Sequence, residues 1–111
     1  MKKIRGVKLH VYGRVQGVNF RNNVKRFCDD GNIKGRVMNK EDGSVLIIAQ
    51  ANREKLEELE KWIKSSPGFS RIDEVRIEEK GINKYCDFRI VREELYWKDK
   101  EKAFINLIRK L

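Results

Sequence analysis

The chain has 111 residues, room for one domain with a real core and too few for two. With 40% hydrophobic residues, 39% charged residues and a single proline, it is neither a disordered nor a collagen-like chain but a globular one with a wet exterior. The net charge is +9, and its placement says more than its size: residues 1–28 hold eight cations and no acid, while the remainder holds 18 cations against 17 acids. An anionic partner is therefore expected near the first quarter of the chain.

The longest apolar run, Val45 to Ala49, has five residues, against the ~20 that cross a bilayer. Met1 to Arg5 lead into alternating residues and not into the apolar stretch of a secretory signal, so a cytoplasmic location is expected. Cys28 and Cys86 lack metal-ligand spacing and His10 is the sole histidine; neither a metal site nor a cofactor is expected.

Val7, Leu9 and Val11 alternate with Lys8, His10 and Tyr12, the period of a strand with one buried face, ending at Gly13. Phe20, Val24, Phe27 and Cys28 then recur at helical spacing from about Asn19 to Gly31. Ile33, Gly35 and Val37 read as a second strand, which turns through Asn39 to Gly43 into a third, Ser44 to Ala51, apolar on both faces. Asn52 is placed to cap a second helix whose inner stripe is Leu56, Leu59, Trp62 and Ile63, with a solvated charged face over Glu54 to Lys64; Ser65 to Gly68 stop it. Ile72, Val75 and Ile77 mark a fourth strand, and Cys86, Phe88 and Ile90 a fifth.

The order βαββαβ plus one strand is an α+β, ferredoxin-like split βαβ pattern, in which two helices cover one face of a largely antiparallel sheet. Arg92 to Lys98 reads as a linker, followed by an amphipathic helix carrying Phe104, Leu107, Ile108 and Leu111. The expected organisation is thus a domain over residues 1–91 and a helical extension over 92–111. That extension is expected to pack on the sheet face of Leu46 and Ile48, which two helices leave open. Tyr96 and Trp97 read as its anchors, Cys28 and Cys86 as small buried residues, and His10 as a solvated strand residue.

The residues with chemical potential lie between the first strand and first helix: Gly13 Arg14 Val15 Gln16 Gly17 Val18 Asn19 Phe20 Arg21. Two glycines let backbone N–H groups converge, and the helix N-terminus adds unpaired donors and partial positive charge. Arg21, poorly placed for the helix dipole, is well placed to fork onto an oxyanion such as phosphate or sulfate held in that loop. Alone, the glycine spacing also fits an ordinary strand-to-helix turn with a solvated arginine. Asn39 alone reads as a turn residue tolerant of positive φ, and it becomes chemical only if the fold brings it to the loop.

The run Gly13 to Arg21, followed by Gly35 Arg36 Val37 Met38 Asn39, by Asp42 Gly43 Ser44 Val45, by Pro67 to Val75 and by Phe88 Arg89 Ile90, resembles the acylphosphatase family over about residues 4–91. The resemblance implies a metal-independent enzyme that hydrolyses the carboxyl-phosphate bond of small acyl phosphates. By the same resemblance Arg21 matches the phosphate-binding arginine, Arg14 to Val18 (with Asn19 and Phe20 completing the loop) the backbone phosphate cradle, and Asn39 the asparagine that orients the attacking water. The sequence departs from the family's pattern at Arg36, where tryptophan is usual, at Lys40, where a small residue often sits, at Asn32 in place of a common glycine, and in the added C-terminus. Lys40 reads as a solvated turn lysine that could also add charge near the site.

Two other classes fit the same composition. A basic ferredoxin-like domain can bind RNA across its sheet, but these strands lack paired exposed aromatics of the stacking kind, so nucleic acid is not the expected partner. A non-catalytic relative could use the loop only to hold phosphate-bearing partners.

Overall fold

The structure, a computed structural model, describes residues 3–98. The elements are β1 (Ile4–Arg14), α1 (Phe20–Asp30), β2 (Lys34–Asn39), β3 (Val45–Asn52), α2 (Arg53–Lys64), β4 (Arg71–Lys80) and β5 (Phe88–Ile90). Residues 93–98 are also helical (α3). The five strands form one sheet in the order β4-β1-β3-β2-β5, antiparallel except for the β2/β5 pair. This is the expected α+β ferredoxin-like architecture with its fifth strand.

Alternation in β1 and β2 sorts side chains onto two faces. On one, Leu9, Val11, Val37 and Ile47 pack with Phe20, Val24 and Cys28 of α1 and with Leu56, Leu59 and Ile63 of α2. The helices are joined at the surface by Phe27 and Trp62, whose rings stack at 4.5 Å. On the other face Met38, Leu46 and Ile48 form a second buried cluster with Tyr96, against which Tyr85 and Val91 pack. β3 is buried from Val45 to Ala51 because both clusters use it.

The register positions the site. Val45, the first residue of β3, stands opposite Val11 of β1 and opposite Asn39 of β2. The C-terminal ends of β1 and β2 therefore flank the start of β3, and the loop after β1 and the turn after β2 emerge from the same edge of the sheet. A bulge at Tyr12/Gly13 redirects β1 toward that loop. Gly13 has φ +137° there, and a β-carbon on it would lie 2.1 Å from the Arg71 carbonyl oxygen, so only glycine fits.

Three expectations are corrected. Cys86 is exposed, because β5 spans only Phe88–Ile90 and residues 81–86 are irregular. Cys28, by contrast, is buried as expected, and burial pushes its thiol pKa well up. His10 is not solvated: its side chain is 20% exposed, with Nε2 3.4 Å from Glu78 Oε1. The stretch Arg92 to Lys98 is not a linker but helical from residue 93, and Tyr96 within it is buried on the sheet face of Leu46 and Ile48. Phe104, Leu107, Ile108 and Leu111 lie outside the described residues. No helix among the described residues is long and apolar enough to cross a membrane.

Candidate active site

The N-terminus of α1 is left open by its own sequence. Its cap residue, Asn19, has φ +65° and makes no side-chain capping bond, and no acid stands in the first turn. Gly17, two residues earlier, has φ +74°, and a β-carbon added there would meet nothing within 4 Å. Among the described residues, the backbone N–H groups of residues 16–22 donate to no protein acceptor, so a short row of donors faces outward beside a helix dipole. Such a terminus attracts an anion.

Around these donors lies a cleft of about 250 Å³ lined by Val15, Gly17, Asn19, Phe20, Arg21 and Asn22, with Ile90 behind. Arg21 carries the one charged side chain in that lining. It also lines a larger neighbouring cavity of about 450 Å³, together with Asn39 and Lys40. Glu41, Val91, Arg92, Glu93, Glu94 and Trp97 complete the lining of that cavity. Arg21 is thus the shared member of two adjoining spaces, one floored by backbone donors and the other holding Asn39.

Asn39 ends β2 on the helix-facing side. Its Oδ1 is buried and, among the described residues, accepts no hydrogen bond. An unmet buried acceptor is costly, on the order of 1–3 kcal/mol; the residue that carries it lines the cavity shared with Arg21. The turn that follows is stiff: Lys40 N–H donates to the Ser44 carbonyl at 2.9 Å and Gly43 N–H to the Lys40 carbonyl at 3.2 Å. Asp42 Oδ1 accepts from both the backbone and the hydroxyl of Ser44; the Ser44 hydroxyl bond, more than any charge nearby, holds the Asp42 carboxyl below its usual range.

Sequence reasoning places Gln16 only within the cradle. In the structure its side chain does something more, because Nε2 donates to the carbonyls of Lys40 at 2.8 Å and Ser44 at 2.9 Å. One amide thereby ties the phosphate-loop candidate to the turn carrying Asn39, across 24 and 28 residues of sequence. No local pattern signals such a bond.

The other candidates separate. Lys40 is among the residues that line the larger cavity. Arg14 is exposed and in register with Arg71, and Val18 packs against the core; neither lines these two cavities. Arg36 lies away from them, with its guanidinium 4.6 Å from the centre of the Tyr85 ring and bonded to Asp87. Asn32 has φ +56°, which explains an asparagine where the family often has glycine. Among the described residues no group of three or more His, Cys, Asp or Glu is placed to hold a metal ion. Tyr96 is buried, and Tyr12 and Tyr85 each have an arginine guanidinium over the ring.

Fold and site together define an α+β, ferredoxin-like domain whose first helix begins without a side-chain cap beside a cleft lined by Arg21. The profile of the acylphosphatase family matches residues 7–90. The acylphosphatase of Photorhabdus laumondii is 40% identical over 88 residues, 78% of this chain and 95% of that protein; that of Treponema denticola is 39% identical over 87 residues, 78% of this chain and 93% of that protein. The structure of an acylphosphatase from Coxiella burnetii matches with a TM-score of 0.76 at 30% identity, covering 79% of this chain and 93% of that one. The chain belongs to the acylphosphatase family and is an enzyme of that class.

Proposed function

We propose that the chain hydrolyses acyl phosphates by in-line attack of a water held by Asn39 on a phosphoryl group clasped by Arg21 and the loop amides. The observation that carries this reading is that Asn39 and Arg21 line one cavity, while Arg21 also lines the cleft at the unpaired loop amides. A water in that cavity that donates one O–H to the Asn39 side-chain carbonyl, once this carbonyl turns toward it, directs a lone pair outward, toward phosphorus. The unpaired N–H groups of residues 16–22 and the Arg21 fork take the phosphoryl oxygens, neutralising charge in the ground state and more so as it spreads in the transition state.

The water oxygen bonds to phosphorus as the phosphorus–oxygen bond to the carboxylate breaks, giving carboxylate and inorganic phosphate, with the water protons passing to phosphate. The leaving carboxylate is a weak base, near the ordinary carboxylic pKa of about 4, so it departs without an acid catalyst. Transfer of this kind rests on positioning and charge neutralisation. Neither a metal nor a general base enters the scheme.

Steady-state hydrolysis of benzoyl phosphate tests it. Wild type is expected to turn over with EDTA present, and Asn39→Ala to lose on the order of 10² in kcat, as loss of a preorganised polar group does. Wild-type turnover in Asn39→Ala removes Asn39 from the mechanism. Phosphate binding without turnover in the wild type would instead mark a non-catalytic relative.

A further inference from the structure

The family match ends at residue 90, yet the Asn39 cavity is also lined by Val91, Arg92, Glu93, Glu94 and Trp97. We propose that this added segment is the acyl-recognition element of the site, with Trp97 and Val91 selecting acyl phosphates whose acyl group is aromatic or bulky and apolar. The proposal rests on the hydrolytic reading and adds a substrate class to it.

Volume is the first argument. Four water-sized oxygens take about 120 Å³ at about 30 Å³ each, and the donors for a phosphoryl group line the smaller cleft. The cavity of about 450 Å³ on the other side of Arg21 has the size of a small-molecule site. With phosphate on the loop, the acyl portion has this space to enter.

Anchoring is the second. Tyr96 is 8% exposed and packed with Met38, Leu46 and Ile48, so the neighbouring Trp97 is carried on a fixed base. The two rings meet edge to face at 5.0 Å. Trp97 itself is 42% exposed, an indole with surface left to cover at the rim of a cavity.

Charge is the third. The three cations of this lining, Arg21, Lys40 and Arg92, are matched by three acids, Glu41, Glu93 and Glu94. The wall therefore offers little net attraction to a second anionic group, and a neutral apolar acyl group meets Val91 and Trp97 without opposing charge.

The test is the ratio of kcat/KM for benzoyl phosphate to that for acetyl phosphate, measured on the full chain. In Trp97→Ala the ratio is expected to fall about tenfold, the scale of a lost apolar contact in a specificity pocket, through a raised KM for benzoyl phosphate with its kcat largely kept. Trp97→Phe, which retains an aromatic face, is expected to stay close to the wild-type ratio and shows that the effect is not loss of folding. An unchanged ratio in Trp97→Ala, or an equal loss on both substrates, overturns the assignment while leaving the hydrolytic mechanism standing. Wild type that hydrolyses neither substrate overturns the mechanism itself.

Discussion

The two helices that cover the sheet have N-termini of opposite design. At α2, Asn52 accepts from Lys55 N–H at 3.0 Å, Glu54 stands in the first turn and Lys61 and Lys64 in the last, so donors, dipole and charge are satisfied within the chain. At α1 the asparagine at the same position is left-handed and caps nothing, the first turn has no acid, and Arg21 adds positive charge to a positive end. Under the proposed function, the open terminus of α1 is the one that receives the phosphoryl anion, and what counts as a defect of α1 in stability is its equipment for that role.

The largest expected break in this contrast is at Arg21. Arg21→Lys keeps the charge but loses the planar fork, and kcat/KM for benzoyl phosphate should fall on the order of 10³, the scale of an arginine acting on transferring phosphoryl groups. Phosphate affinity close to wild type in that variant would show that the loop amides hold the anion unaided. Next comes Asn39→Ala, with a loss of about a hundredfold in kcat. Gln16→Leu should be milder on chemistry and visible in stability as well. Freeing the carbonyls of Lys40 and Ser44 should cost about 1–3 kcal/mol, read by denaturant unfolding, and a loosened turn should lower kcat/KM by about tenfold. Unaltered kinetics would mean that the turn holds Asn39 without the latch.

The smallest effect sharpens the comparison from the other side. Asn52→Ala should cost about 1 kcal/mol of stability and leave phosphate binding as in wild type, since the α2 cap serves only the fold. A change in phosphate affinity there would blur the distinction between the two helix starts.

Much of the fold is legible in the residues. Alternation over Val7 to Val11 and the stripe Phe20, Val24, Cys28 are local signals, and they specify β1 and α1 together with the loop between them. The meeting of that loop with Asn39 needs the β1/β3/β2 register, which only tertiary pairing supplies. Cys86 continues the alternation of Phe88 and Ile90, but β2 pairs with residues 88–90 alone, so periodicity outruns the partner strand. The helix at 93–98 is hidden because Leu95, Tyr96 and Trp97 are contiguous, not helically spaced, and Tyr96 is the buried one. The Gln16 latch joins sites far apart in sequence and leaves no pattern to read.

The central claim, that unpaired amides at the start of α1 grip the phosphoryl group, is tested most directly by titrating the isotope-labelled protein with inorganic phosphate and following backbone amide resonances. Saturable shifts centred on residues 16–22, with a dissociation constant matching the competitive inhibition constant of phosphate against benzoyl phosphate, are the predicted result. Amides there that stay unmoved while phosphate still inhibits competitively would contradict it.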